Sequence, residues 1–110
     1  LMNNIYWPAI VQLHLHDELI YIKDPHAWQH FLITDAIHLA PEDQLIDSNG
    51  QCYLLSPHAS QHSLIPSGKL TVSQFIPLVQ QYAQLQGHCC SSKLMFTCFE
   101  QGFAIIDQLD

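Results

Sequence analysis

The dipeptide Asn49-Gly50, set between Leu45-Ile46 and Tyr53-Leu54-Leu55 near the middle of the 110-residue chain, constrains the fold more than any other stretch. Both residues accept positive φ at little steric cost, so a turn here flanked by apolar runs specifies a β-hairpin. Two registers compete. A two-residue Asn49-Gly50 turn pairs Ser48 with Gln51 and Ile46 with Tyr53, whereas a type I turn over Asp47-Ser48-Asn49-Gly50 with a glycine bulge pairs Asp47 with Gln51 and Ile46 with Cys52. The second is preferred, because it sets Asp at the first turn position and Gly at the fourth, where each is favoured. Apolar residues on both faces of the hairpin imply helices on one side and a loop or a partner on the other.

A chain of this length makes one domain, residues 1–110, and buries roughly two-thirds of its unfolded surface, enough for a core without covalent staples. Its 48% hydrophobic and 12% charged residues are the reverse of a disordered composition. Three lysines, Lys23, Lys69 and Lys93, with no arginine stand against ten acidic residues, for a net charge of −7. Nucleic acid and anionic membranes are thereby disfavoured as partners, since both are held by clustered Lys and Arg. Eight histidines would cancel that charge if all were protonated, which makes the charge responsive to mildly acidic pH. The segment Leu1-Met2-Asn3-Asn4 has neither the basic region nor the apolar run of a signal peptide. With no apolar stretch near the ~20 residues of a membrane span, the expectation is a cytoplasmic protein with reduced cysteines.

Along the chain, Val11, Leu13 and Leu15 alternate with Ile10, Gln12, His14 and His16, the period of a strand with one core face and one wetter face. Trp7-Pro8 falls at its start or edge, and Asp17-Glu18 separates it from a second strand, Leu19-Ile20-Tyr21-Ile22, completing a first hairpin. Asp24-Pro25 opens a helix as cap and first residue, with Trp28, Phe31 and Leu32 set to anchor it and an end between Ile33 and Asp35. Ala40-Pro41-Glu42-Asp43 and His58 to Ser63 read as loops. Leu64 to Leu70 is a short strand interrupted by Pro66 and Gly68.

Thr71-Val72-Ser73-Gln74 is a capping box ahead of a helix whose stripe is Val72, Phe75, Ile76, Val79, Tyr82 and Ala83. Gln80, Gln81 and Gln84 face water, Gly87 ends the helix, and Pro77 is expected to bend it near Ser73. His88 to Met95 reads as a strand, and Thr97-Cys98-Phe99-Glu100 as a second capping box. From residue 96 to 109 a helix and a hairpin turning at Gln101-Gly102 compete; Phe99, Phe103, Ile106 and Leu109 with the cap favour the helix. The fold class that results is α+β, a single small domain in which antiparallel β-hairpins form a sheet packed by about three helices.

Trp7-Pro8-Ala9-Ile10, Glu18-Leu19-Ile20-Tyr21, Leu45-Ile46-Asp47-Ser48 with Gly50 and Tyr53, and Cys89-Cys90 with Lys93-Leu94 together span most of the chain. In these segments it resembles a group of small bacterial proteins classed as a domain of unknown function. The resemblance implies a compact stand-alone bacterial domain and transfers no activity, cofactor or catalytic residue.

The residues themselves offer fragments of chemistry. His26 and His30 lie i, i+4 on the first helix, His14 and His16 share a strand face, and His58 and His62 share a loop. None forms an established metal motif, so no metal ligand is assigned. Cys89 and Cys90 point to opposite faces of a strand, and Cys52 and Cys98 read as small core residues. Ser48, Ser56 and Asp47 supply hydrolytic residue types without an ordered motif. Asp43 and Asp47 flank an exposed hairpin strand, where they cap turns and blunt an edge. No catalytic residue and no cofactor is assigned. The leading expectation is a non-enzymatic interaction or regulatory module with a protein partner or a second copy of itself. The alternative is a small-molecule or metal-binding domain that uses its histidines, with an enzyme third.

Overall fold

Ala9, Ile10 and Val11 are all 0% exposed, so the first strand has two buried faces and not the one expected from its alternation. The computed structural model, which describes residues 5–13, 18–34, 43–55, 64–87 and 93–109, shows why. The strands are β1 (Ala9–Gln12), β2 (Leu19–Ile22), β3 (Gln44–Asp47), β4 (Gln51–Leu55) and β5 (Leu64–Lys69); the helices are α1 (Pro25–Thr34), α2 (Val72–Leu85) and α3 (Phe99–Leu109). The sheet is antiparallel in the order β2-β1-β3-β4-β5, so β1 is an interior strand. Apolar side chains cover both of its sides. Ile10, Ile46 and Cys52 face α2 and α3, while Ala9, Val11, Leu45 and Tyr53 face the α1 side. The architecture is α+β, with five strands and three helices among the described residues.

The central hairpin takes the four-residue turn. Ile46 pairs with Cys52, and the Gly50 N–H donates to the Asp47 carbonyl at 2.9 Å. Gly50 adopts φ +83°, and a Cβ there would lie 2.5 Å from both the Leu70 carbonyl and the Phe99 ring. No other residue type fits. Asp47 is fully buried, on an interior strand, and Asp43 is buried too, so neither blunts an edge. The Asp47 carboxylate instead accepts from Asn49 N–H (2.9 Å) and Gln51 N–H (3.0 Å) through Oδ1 and from Tyr6 N–H (3.3 Å) through Oδ2. Three backbone donors offset the cost of burying the charge.

The remaining elements follow local rules, with corrections. Asp24 caps α1 by accepting from Ala27 N–H at 2.8 Å, and Trp28 and Phe31 stack at 5.6 Å on its buried side. β5 runs through Pro66 and Gly68, because it is an edge strand and a register shift opposite Cys52 and Tyr53 absorbs the extra residue, Ser67. Thr71 and Gln74 form the expected capping box, and α2 continues past an exposed Pro77. Gln80 is half-buried where water was expected, its amide donating to the Leu94 carbonyl at 2.9 Å. That carbonyl is free to accept because residues 93–95, the described part of the strand expected from His88 to Met95, form no strand. The second capping box is also displaced by one residue: Gln101, not Glu100, reaches back to Thr97 N–H, at 2.8 Å. Cys98 is exposed beside it and not in the core. The turn at Asp17, the loop before Asp43 and the loop from His58 to Ser63 lie outside the described residues.

The 96–109 segment is a helix, and Gly102 is the reason it packs closely. A Cβ at Gly102 would sit 2.6 Å from the Phe75 ring and 2.8 Å from the Phe96 ring. Phe75 is the hub of this side, with ring centroids 5.6, 5.3 and 5.2 Å from Phe96, Phe99 and Phe103.

Gly102→Ala is therefore expected to lower the unfolding free energy by about 1–3 kcal/mol through overpacking, although the same change in an exposed helix gains about 1 kcal/mol; urea denaturation decides the sign. Asp47→Ala, which removes three hydrogen bonds from part-buried N–H donors to a buried carboxylate, is expected to cost about 2–4 kcal/mol by the same measurement. Burial, then the Asp47 charge, raises both the Cys52 thiol and the Tyr53 phenol above their ordinary 9.0 and 10.0. A group whose pKa is higher folded than unfolded stabilises the fold below its unfolded pKa and ceases to as pH rises toward the folded one. Stability should accordingly fall above about pH 9, and Tyr53→Phe should make that fall shallower in denaturation curves taken across alkaline pH.

Candidate functional site

Three consecutive positions on one helical face begin the site. Glu100, Phe103 and Asp107 recur at i, i+3 and i+7 on α3, with Ala104 between them, so two carboxylates flank one buried ring. Opposite them stand Tyr21 from β2, Trp7 and Pro8 just before β1, and Ser48 just after β3. Together these residues enclose a cleft of about 440 Å³ that is partly open to solvent. Its floor is fixed by the central turn: Ser48 N–H donates to the Tyr6 carbonyl at 2.9 Å, and the Ser48 hydroxyl donates to the Pro8 carbonyl. Burial, and then the Asp107 charge, raises the Tyr21 phenol above its ordinary 10.0, so it is a neutral hydroxyl at physiological pH. Among the described residues no lining side chain is a lysine or an arginine. The cleft is aromatic and anionic, an environment that favours a cation.

A second groove of about 420 Å³ lies on the other face of the sheet, between β2 and α1. Ile20, Ile22, Ala27 and Phe31 make it apolar, and His26 and His30 stand together on its rim, as their spacing on α1 requires. Among the described residues no group of three His, Cys, Asp or Glu side chains is placed to hold a metal. His14, His16, His58, His62, Cys89, Cys90 and Ser56 lie outside the described residues. Cys52 is buried, its thiol donating to the Gly50 carbonyl at 3.6 Å, and Ser48 and Asp47 are occupied within the turn.

The acidic cleft was not assigned from sequence. Its α3 half was legible as the spacing of Glu100, Phe103 and Asp107, but Glu100 was assigned to a cap that Gln101 forms instead. Nothing local relates Trp7 and Tyr21 to that helix.

A small α+β domain with a groove on each face of one edge strand is thus the class the geometry defines. Residues 7–106 match the model of DUF4144, described as a protein structure with unknown function. The chain belongs to that family, in agreement with the resemblance in its short motifs. It is also similar to the NMR structure of a protein from Shewanella amazonensis, at 25% identity and a TM-score of 0.76, over 99% of this chain and 93% of that one. No curated protein matches the chain.

Asp107→Asn is expected to bring the Tyr21 phenol part of the way back toward 10.0, since burial, the larger cause, is untouched; an alkaline titration followed on the Tyr21 ring signals by NMR measures it, and an unchanged midpoint would separate Asp107 from the phenol.

Proposed function

We propose that this protein is a non-enzymatic protein-interaction module whose α3 cleft takes a Lys or Arg side chain presented by a partner. The observation that carries this reading is the convergence of Glu100 and Asp107 with Trp7, Tyr21 and Phe103 around one partly open cleft that no cation lines among the described residues. A guanidinium or ammonium entering it would meet aromatic faces worth about 0.5–1 kcal/mol each at exposed sites and carboxylates whose attraction grows as water is excluded. The net charge of −7 adds long-range steering toward a basic partner surface.

An enzymatic reading has less support. The Ser48 hydroxyl, which lines the cleft, already donates to the Pro8 carbonyl. The histidine-based alternative rests on His26 and His30, a pair without a third ligand among the described residues. A cytoplasmic setting suits the free thiols of Cys52 and Cys98, and no helix among the described residues is long and apolar enough to cross a membrane.

Titration of the protein with short lysine-rich and glutamate-rich peptides tests the proposal. The lysine peptide should bind, weaken with added salt, and lose about tenfold or more in affinity when Glu100→Gln and Asp107→Asn are combined. Equal binding of the glutamate peptide, or indifference to the double substitution, would overturn the reading. Both carboxylates are on exposed residues of α3, so the variant should keep its fold, which circular dichroism checks.

A further inference from the structure

The two edges of the sheet are not equivalent. β5 carries Pro66, Gly68 and a register shift, features that discourage pairing with another strand. β2, at the opposite edge, has no proline, glycine or bulge, and no described strand pairs with its outer side.

The direction of its backbone groups follows from the hairpin register. Directly opposite residues of an antiparallel pair alternate between hydrogen-bonded and non-bonded. Leu13 N–H donates to the Glu18 carbonyl at 3.3 Å, so that pair is bonded, and the register makes Val11 with Ile20 and Ala9 with Ile22 bonded pairs as well. Leu19 and Tyr21 therefore turn their N–H and C=O groups away from β1; Leu19 is only 2% exposed, so Tyr21, half-buried, is the residue that presents them at an open edge. Side chains alternate in the other direction. Tyr21 faces the α3 side and lines the acidic cleft, while Ile20 and Ile22 face the α1 side and line the apolar groove. Tyr21 borders both hollows, which places them on either side of one edge strand.

We propose that β2 accepts an extended segment of a partner protein as a sixth strand, with a Lys or Arg opposite Tyr21 entering the acidic cleft and apolar residues opposite Ile20 and Ile22 entering the α1 groove. An added strand lies about 4.8 Å from β2 and sends successive side chains to opposite faces, so a single segment engages both hollows only if its sequence alternates basic and apolar. Main-chain bonds to Tyr21 supply affinity, and the two hollows supply selection. The inference rests on the reading that the cleft takes a cation. A second copy of the chain is the poorer occupant, because it brings the same −7 charge to the interface.

The test uses the ¹⁵N-labelled protein, an acetylated and amidated peptide of alternating Lys and Val, its Glu/Val counterpart, and a Lys/Val peptide methylated at alternate backbone nitrogens. Binding of the Lys/Val peptide should slow hydrogen exchange at the Tyr21 amide by about tenfold or more, while Ile20 and Ile22, already bonded to β1, change little. The methylated and the Glu/Val peptides should each bind about tenfold more weakly. Shifts at Glu100 and Asp107 without protection at Tyr21 would overturn strand addition and leave the cation reading standing. Protection that is equal with Lys/Val and Glu/Val peptides would overturn the cation reading and the alternation with it. No binding of either peptide at millimolar concentration would overturn both. Protection that rises with protein concentration in the absence of peptide would assign the edge to a second copy and overturn the proposed partner.

Discussion

A carboxylate with no solvent exposure, Asp47, ties together the parts of this fold that no local rule connects. It closes the hairpin between β3 and β4 by accepting from Asn49 and Gln51, and it reaches across to the Tyr6 amide. Ser48, the next residue, completes the link through Tyr6 and Pro8. The strand that follows Pro8 is the interior strand of the sheet, so its starting point is set by the turn, some forty positions later in the chain. Because the carboxylate is buried, each of these bonds is worth more than it would be in water, and each lost partner costs more. The same contacts build the floor of the acidic cleft, which lies against Trp7, Pro8 and Ser48. Site and fold therefore share a foundation.

Above that floor, close approach depends on absent side chains. Gly50 lets the turn pass against Leu70 and Phe99, and Leu70 N–H in turn donates to the Gly50 carbonyl at 2.7 Å. Gly102 lets α3 settle against Phe75 and Phe96. A methyl at Gly50 would meet the Phe99 ring and one at Gly102 the Phe75 and Phe96 rings, so either would shift α3, and with it Glu100, Phe103 and Asp107, the side of the cleft that carries the charge. Packing of this kind is unforgiving of a single added carbon, so the width of the cleft is set by two glycines that do not touch a ligand.

The distribution of polar and apolar surface around β2 gives the molecule a direction. Carboxylates lie on one side of the strand, aliphatic residues and two histidines on the other, and between them an edge with which no described strand pairs. The opposite edge is interrupted at Pro66 and Gly68. A chain with ten acidic and three basic residues repels its own copies and attracts basic partners; that bias and the unequal edges favour the same binding mode.

Much of the local structure was determined by the sequence alone. The Asp47-Gly50 turn, the Asp24 and Thr71 caps, the Gly87 stop and the stripes of α1, α2 and α3 each depend on residues within a few positions of one another, and each formed as its chemistry requires. Membership of a family of unknown function was legible in short motifs as well. What the tertiary structure decided was the position of each element relative to the rest. Alternation in Ile10 to Leu13 could not show that β1 is interior, because its second face is covered by residues far along the chain. Residues 93–95 had the pattern of a strand, but Gln80 of α2 takes the Leu94 carbonyl that a ladder would use. Asp47 looked like an exposed cap until the Tyr6 amide and the neighbouring strands enclosed it. The cleft brings Trp7 and Tyr21 to Glu100 and Asp107 across most of the chain's length. Its two halves meet only when the sheet and α3 pack, and hydrophobic burial, which has no sequence range, is what brings them together.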